Sequence, residues 1–166
     1  LSKENCKGLI NIFEEYKSLP GYAEEGDANK REGIRKDEAC FFDEYTLKNA
    51  YGSKNAAKYV SAINERLQNC FNKYVKDFDW LSSYTLASHV VKIHHVRPHE
   101  GYHVFHAEAS DVRSSSRCLV WLCYLNEVDE GGETEFLYKG TKRSRSQANL
   151  FYGQPSGHIS TGGTLF

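Results

Sequence analysis

The hydrophobic pattern of the chain changes period near residue 80, and this change restricts the fold more than any other feature of the sequence. Before it, apolar residues recur at steps of one, three or four, which predicts amphipathic helices over residues 9–16 and 56–78. After it, short apolar runs predict strands at residues 90–96, 102–108, 118–126 and 133–138. Helices followed by strands favour an α+β fold, in which the helices pack on one outer face of an antiparallel sheet.

The chain has 166 residues, of which 40% are apolar, and this suffices for a single domain with its own core. Within residues 1–166 we expect mainly helical support from residues 1–80, strands from residues 81–138 and an atypical tail from residues 139–166. The charged, glycine-interrupted stretch of residues 26–38 is predicted to be a surface loop or a mobile cover. Residues 98–101 are predicted to form a hairpin turn.

Charge and composition restrict the class of protein. A formal net charge of -1 gives no general attraction to nucleic acid or anionic lipid. No apolar run approaches the roughly 20 residues that span a bilayer. The five cysteines are odd in number and scattered, which favours buried thiols in a reducing compartment, so we expect a cytoplasmic location. The absence of Met leaves a removed start or targeting segment open.

His106 and Glu108 are two residues apart in a predicted strand, so both side chains should point to the same face. An imidazole and a carboxylate placed in this way could hold one metal ion. Two histidines and one carboxylate on one face of an octahedron are typical of non-haem Fe(II) oxygenases. We expect surface or core roles for the other clustered histidines, of which two are adjacent and face opposite ways: His89, His94, His95, His99 and His103.

Two segments carry a resemblance to a known family: GYHVFHAE at residues 101–108, and a run ending in YLNEVDEGGETEF at residues 124–136. Over roughly residues 92–138 the chain resembles the 2-oxoglutarate and Fe(II)-dependent dioxygenases of the prolyl 4-hydroxylase-like branch. The resemblance implies a double-stranded β-helix, or jelly roll, with supporting N-terminal helices. It also implies that His106 and Glu108 are iron ligands, with Glu108 standing where most of the family has Asp. Tyr102 would contact 2-oxoglutarate, or else serve as a core aromatic residue.

The family pattern also has a distal histidine, followed by Arg or Lys that binds the far carboxylate of 2-oxoglutarate. Here His158 is the last histidine, and no basic residue follows it. We therefore take His158 as the candidate third ligand and expect a jelly roll that is incomplete at its C terminus, with open strand edges. A frame shift after about residue 140 would also explain this tail, because shifted codons permit the missing motif. Catalysis by the chain would then be weak or absent.

The resemblance implies an Fe(II)- and 2-oxoglutarate-dependent oxygenase that hydroxylates an unidentified peptide or small molecule, with peptidyl proline as one candidate. Ascorbate is a further candidate cofactor. Two alternatives stay open: a non-catalytic jelly-roll binding module, and a cupin-like metalloprotein that uses several of the clustered histidines. Open strand edges would also favour pairing between copies into a homo-oligomer.

Overall fold

The computed structural model describes residues 1–18, 23–25, 35–43, 54–88, 90–109, 111–112, 114–127, 133–136, 141–143, 150–153 and 163–165. Within these residues the helices are α1 (Lys3–Tyr16), α2 (Lys54–Asp77) and a 3-10 helix (Asp79–Ser83). The strands are β1 (Ala23–Glu25), β2 (Arg35–Lys36), β3 (Glu38–Asp43), β4 (Val90–His95), β5 (Gly101–Tyr102), β6 (Leu119–Cys123), β7 (Thr134–Phe136), β8 (Thr141–Arg143), β9 (Leu150–Gly153) and β10 (Gly163–Leu165).

Both long helices lie where the apolar periodicity predicts them. Helix α1 begins after Ser2, whose hydroxyl oxygen accepts a hydrogen bond from the backbone N–H of Asn5 at 3.1 Å, and this caps an otherwise unpaired donor. A Cβ at Gly8 would overlap the ring of Tyr59, so glycine at this position lets α1 approach α2 closely. Among the described residues, neither helix combines the length and the apolar character needed to cross a membrane.

All strand pairs in the described residues are antiparallel. They form two three-stranded sheets, ordered β1-β3-β4 and β10-β6-β9, and two pairs, β2-β5 and β7-β8. Strand β10 also contacts β4, so the two larger sheets adjoin. The α+β prediction is confirmed, whereas a complete jelly roll stays a proposal. The tail supplies β8 to β10, and β6 is paired on both sides, so the expectation of open edges is wrong for β6.

The predicted hairpin at residues 98–101 is wrong, although the chain does turn there. Glu38 opposes His95, and Lys36 opposes Gly101. Two residues of advance from Lys36 to Glu38 therefore correspond to six from His95 to Gly101. The excess of four residues forms an excursion over residues 96–100, with His99 at a φ of 65°. The chain does not reverse, because β4 and β5 are both antiparallel to the same continuous edge of β2 and β3.

Two further boundaries differ from the sequence predictions. The strand predicted at residues 102–108 ends at Tyr102, which pairs with Arg35, and residues 103–109 form no strand. The loop predicted at residues 26–38 instead contains β2 and the buried Asp37 at its end. Residues 26–34 lie outside the described part of the chain.

The helices cover one face of the sheet, as the sequence predicts. Alternate residues of β3, β4 and β6 pack against α1 and α2 in one cluster: Leu9, Ile12, Phe13, Tyr16, Cys40, Phe42, Ala56, Val60, Ile63, Leu67, Leu81, Val91, Ile93, Leu119 and Trp121. Val120, Leu122 and Tyr124 form a second cluster on the opposite face of β6. There the hydroxyls of Tyr124 and Thr134 lie 2.5 Å apart and connect this face to β7.

No disulfide joins the five cysteines, all of which lie in the described residues. Cys6 and Cys40 are buried, which confirms the sequence prediction for these two, while the other three are half-buried. Burial raises the pKa of Cys40 to about 11 and that of Cys123 to about 12. Both thiols therefore stay protonated, and weakly reactive, at neutral pH.

Candidate metal centre

The candidate site lies on the face of the sheet turned away from the helices, which we call the site face. Phe42 of β3 points towards the helices, so Asp37 and Arg35, at odd offsets from it, point the other way. Their cross-strand neighbours share this direction. Tyr102 directly opposes Arg35, and His94 bonds Asp37. The site face therefore carries polar and aromatic residues from strands that are distant in sequence.

Asp37 is the buried centre of an ion-paired group. Its carboxylate accepts two hydrogen bonds from Arg35, from Nε to Oδ1 at 2.6 Å and from Nη2 to Oδ2 at 2.8 Å. The imidazole of His94 donates to the same Oδ2 through Nδ1. The side chains of Asp37 and His94 are only 5% and 8% exposed, so water can replace little of this bonding.

Burial and hydrogen bonding set the protonation states of this group. Burial acts to raise the pKa of Asp37, but the hydrogen bonds from His94 and Arg35 outweigh it and hold that pKa well below its ordinary value. Burial lowers the pKa of His94, against the opposing effect of Asp37. At neutral pH, Asp37 is therefore ionised and His94 is neutral.

His94 should make the protein less stable in mild acid. Because its folded pKa lies below the unfolded value of about 6.5, the unfolded chain takes up a proton first as the pH falls. Folding free energy is then lost below about pH 6.5, by at most about 1.4 kcal/mol per pH unit. In His94→Asn, whose amide nitrogen can still donate to Asp37, we expect a shallower loss. Urea unfolding between pH 7 and pH 5 measures both slopes, and equal slopes would contradict the prediction.

Tyr102 connects this group to the predicted metal motif. The Arg35 guanidinium carbon lies 5.5 Å from the centre of the Tyr102 ring, within the range of a cation–π interaction. The Tyr102 ring stacks on the imidazole of His106, with ring centres 4.0 Å apart and planes at 16°. Tyr102 and His106 are therefore in contact, although residues 103–109 form no strand.

His106 and Glu108 meet, but through an irregular segment and not through strand alternation. The imidazole Nε2 of His106 lies 3.2 Å from Oε1 of Glu108, and its Nδ1 lies 3.3 Å from the carbonyl oxygen of Val104. The carbonyl and the carboxylate both only accept hydrogen bonds, so a neutral imidazole can donate to one of them and not to both. In the tautomer with the proton on Nδ1, Nε2 and the carboxylate face each other as two acceptors, an arrangement that favours a cation between them, either a proton or a metal ion.

The spacing of these two atoms fits a shared metal ion. Nitrogen and oxygen ligands lie about 2.1 Å from such an ion, and two of them at about 90° are about 3.0 Å apart. The observed 3.2 Å is close to this value. Among the described residues, no third His, Cys, Asp or Glu completes a metal-binding group. His158, the third ligand that the sequence offers, lies outside the described residues.

Comparison with solved structures gives the fold of the chain. A crystal structure of a Pseudomonas putida prolyl-4-hydroxylase superposes with a TM-score of 0.60, over 99% of this chain and 84% of that one, at 16% sequence identity. The chain has a prolyl-4-hydroxylase-like fold. No protein-family model matches the sequence, and no curated protein does so either.

Within the prolyl-4-hydroxylase-like fold, Arg117 contacts the carboxylate of Glu108. Its Nη1 lies 3.4 Å from Oε2 of Glu108 and 3.3 Å from the Glu108 carbonyl oxygen. A tight turn presents Arg117: the backbone N–H of Ser114 donates to Oδ1 of Asp111 at 2.8 Å, and the Asp111 N–H donates to the Ser114 hydroxyl at 3.1 Å. Because Arg117 binds Oε2, the other oxygen of Glu108 is directed towards His106.

The other described histidines of the cluster have other partners or are exposed. His94 is in the buried pair with Asp37, His95 pairs with Glu38 at 3.3 Å, and His99 and His103 are exposed. These positions agree with the core and surface roles that the sequence predicts. His89 lies outside the described residues.

One cavity among the described residues is not lined by the motif. It has a volume of about 370 Å³ and lies between the helices and the sheet, against Phe13, Ile63 and Trp121. Tyr102, His106 and Glu108 do not line it. The predicted metal pair therefore does not line this cavity, although His94 of the site face does.

Sequence reasoning missed Arg35 and Asp37, which the charged stretch of residues 26–38 concealed. The signal was present: opposite charges two residues apart directly precede the apolar run of β3. Continued strand alternation would have placed both side chains on one face, where they could pair.

Proposed function

We propose that this chain is an Fe(II)- and 2-oxoglutarate-dependent oxygenase that hydroxylates a peptide or a small molecule. The observation that carries the proposal is the convergence of His106 Nε2 and Glu108 Oε1, 3.2 Å apart, in a chain with a prolyl-4-hydroxylase-like fold. An imidazole and a carboxylate are two members of the three-ligand set that such iron sites use. The proposed third ligand is His158.

The residues of the site have distinct proposed roles. His106 would bind iron through Nε2, with its ring proton on Nδ1 donated to the Val104 carbonyl oxygen. Glu108 would bind through Oε1, while Arg117 holds Oε2. Tyr102 would contact 2-oxoglutarate beside His106. Iron and 2-oxoglutarate, when bound, would allow O2 to convert a substrate C–H bond into C–OH while 2-oxoglutarate is oxidised to succinate and CO2.

The site is open enough to admit these ligands. The side chains of His106 and Glu108 are 21% and 20% exposed, so neither is sealed from solvent. Glu108 is one methylene longer than Asp, and its contact with Arg117 fixes the rotamer that the extra length requires. Arg117 competes with the metal for the carboxylate charge but binds the other oxygen.

Anaerobic titration with Fe(II) tests the proposal. We expect His106→Ala and Glu108→Ala each to weaken iron binding by more than about 100-fold, which exceeds the effect usual for residues that only support a ligand. His103→Ala is the matched control, because this exposed histidine lies three residues before His106 and should leave the affinity unchanged. Equal affinity in wild type and His106→Ala would refute the assigned site.

Adding 2-oxoglutarate and then O2 separates the alternatives. A visible charge-transfer band followed by formation of succinate supports the oxygenase. Iron binding that depends on His106 and Glu108 but yields no succinate would favour a non-catalytic jelly-roll module. Tight Zn(II) binding that survives Glu108→Ala would favour a cupin-like protein that uses the clustered histidines.

The substrate is proposed only by class. Peptidyl proline is one candidate, because the structural relative is a prolyl-4-hydroxylase, and other peptides or small molecules fit a site of this exposure equally well. Ascorbate is a further proposed cofactor. A single domain, a cytoplasmic location and a homo-oligomeric state stay part of the proposal.

A further inference from the structure

We propose that Arg35, clamped by Asp37, is a positioning residue for the metal motif and acts through Tyr102 on the imidazole of His106. We call Asp37, Arg35 and Tyr102 the brace. This inference rests on the proposed function, because it assumes that His106 binds a metal ion. It assigns a role to β2, a strand that contains neither of the two predicted metal ligands.

The first part of the brace is rigid. Two hydrogen bonds of 2.6 Å and 2.8 Å join the planar guanidinium of Arg35 to Asp37, and two parallel bonds fix the orientation of the plane as well as its distance. Asp37 is itself held by the buried His94. The guanidinium therefore projects from a buried anchor and not from a free surface side chain.

The second part transmits this position to the metal motif. Arg35 and Tyr102 are direct cross-strand neighbours, and the guanidinium carbon lies 5.5 Å from the Tyr102 ring centre. The same ring lies against His106, with centres 4.0 Å apart and planes at 16°. A shift of Arg35 would therefore release one ring, and that ring contacts the ligand imidazole.

His106 needs such support because its own backbone gives little. Residues 103–109 form no strand, and the Nδ1 contact with the Val104 carbonyl is long at 3.3 Å. A metal ligand must be held within about 0.5 Å and 10–20° of the productive geometry. Stacking on a braced aromatic ring restricts the rotation of the imidazole, and residues of this supporting kind typically change metal affinity by about 10–100-fold.

Four variants of the whole chain test the brace. Arg35→Met removes the guanidinium group but keeps a side chain of similar length. Tyr102→Leu removes the aromatic ring, and Tyr102→Phe keeps the ring without its hydroxyl. Arg97→Met is the matched control, because Arg97 is another arginine paired with a carboxylate, Glu38, but contacts no member of the brace. Each variant is titrated with Fe(II) without O2, and thermal unfolding reports whether it is folded.

We expect iron affinity to fall by about 10–100-fold in Arg35→Met and Tyr102→Leu, and to stay near the wild-type value in Tyr102→Phe and Arg97→Met. Proton NMR of the metal-free protein gives an independent readout. The His106 ring protons should show an upfield ring-current shift that survives Tyr102→Phe, shrinks in Arg35→Met and disappears in Tyr102→Leu.

Wild-type affinity and unchanged His106 shifts in a folded Arg35→Met would overturn the brace while leaving the metal site intact. If wild type binds no iron, the proposed function fails, and the ring-current shifts still decide whether Arg35 and Tyr102 orient His106. If Arg35→Met does not fold, the iron affinities of Tyr102→Leu and Tyr102→Phe decide whether the Tyr102 ring supports His106. Equal iron affinity in these two variants would overturn the proposal.

Discussion

Replacing Asp37 with alanine is expected to lower the free energy of unfolding by about 3 kcal/mol. The carboxylate accepts hydrogen bonds from Arg35 and His94, and its loss leaves both donors without this acceptor in a site with little access to water. The value lies at the lower end of the range for broken buried pairs, because the Arg35 side chain is 25% exposed and retains some contact with water. Urea unfolding at pH 7 measures the change.

Glu38→Ala is the control for this prediction. Glu38 follows Asp37 in the chain and pairs with His95 and Arg97, but its side chain is 24% exposed and that of Arg97 is 50% exposed. A pair of this kind contributes at most about 1 kcal/mol. If Glu38→Ala cost as much as Asp37→Ala, burial would not be the reason for the stability that Asp37 provides.

The largest loss from the core is expected for Phe42→Ala, at about 3–5 kcal/mol. Phe42 is only 1% exposed and packs edge-on against Tyr16, with ring centres 5.2 Å apart, so its removal leaves a cavity between β3 and α1. Phe41→Ala is the matched control. Phe41 is half-buried on the site face, under the ammonium group of Lys92, and its loss should cost less than about 2 kcal/mol.

Thermal and urea unfolding of these two variants also tests the assignment of the two faces of β3. Neighbouring residues of a strand point to opposite faces, so the two phenylalanines should differ strongly although they share a side chain and a strand. Equal losses of stability would contradict the packing of the helices on the Phe42 side.

The elements with strong periodicity could be predicted from the sequence. Helix α2 buries one apolar stripe, and strands β4 and β6 each contain a short apolar run. The pattern of apolar residues alone is enough to locate these three elements in the sequence. The structure has no strand at residues 103–109 although the local pattern favours one, and strand formation depends on tertiary pairing as well as on local sequence. Arg35 and Asp37 were missed for a related reason, since the burial of Asp37 depends on His94, 57 positions away.

The two residues predicted to hold the metal are in contact in the structure, but not through the predicted strand geometry. His106 and Glu108 meet across an irregular segment in which Arg117 and the Val104 carbonyl orient the two side chains. The motif spacing identified the pair, because residues two apart can converge in a tight bend as well as on a strand. The residues that support the pair come from other segments, so spacing alone could not reveal them.

The excursion at residues 96–100 restricts which insertions and deletions this site tolerates. The excursion inserts four unpaired residues between β4 and β5. Because four is an even number, the residues of β5 keep the alternation of faces that β4 has. Removing or adding a single residue there would turn Tyr102 towards the helices and away from His106, whereas a change of two would keep it on the site face. Insertions and deletions in this loop should therefore involve even numbers of residues, because an odd number would move Tyr102 off the site face.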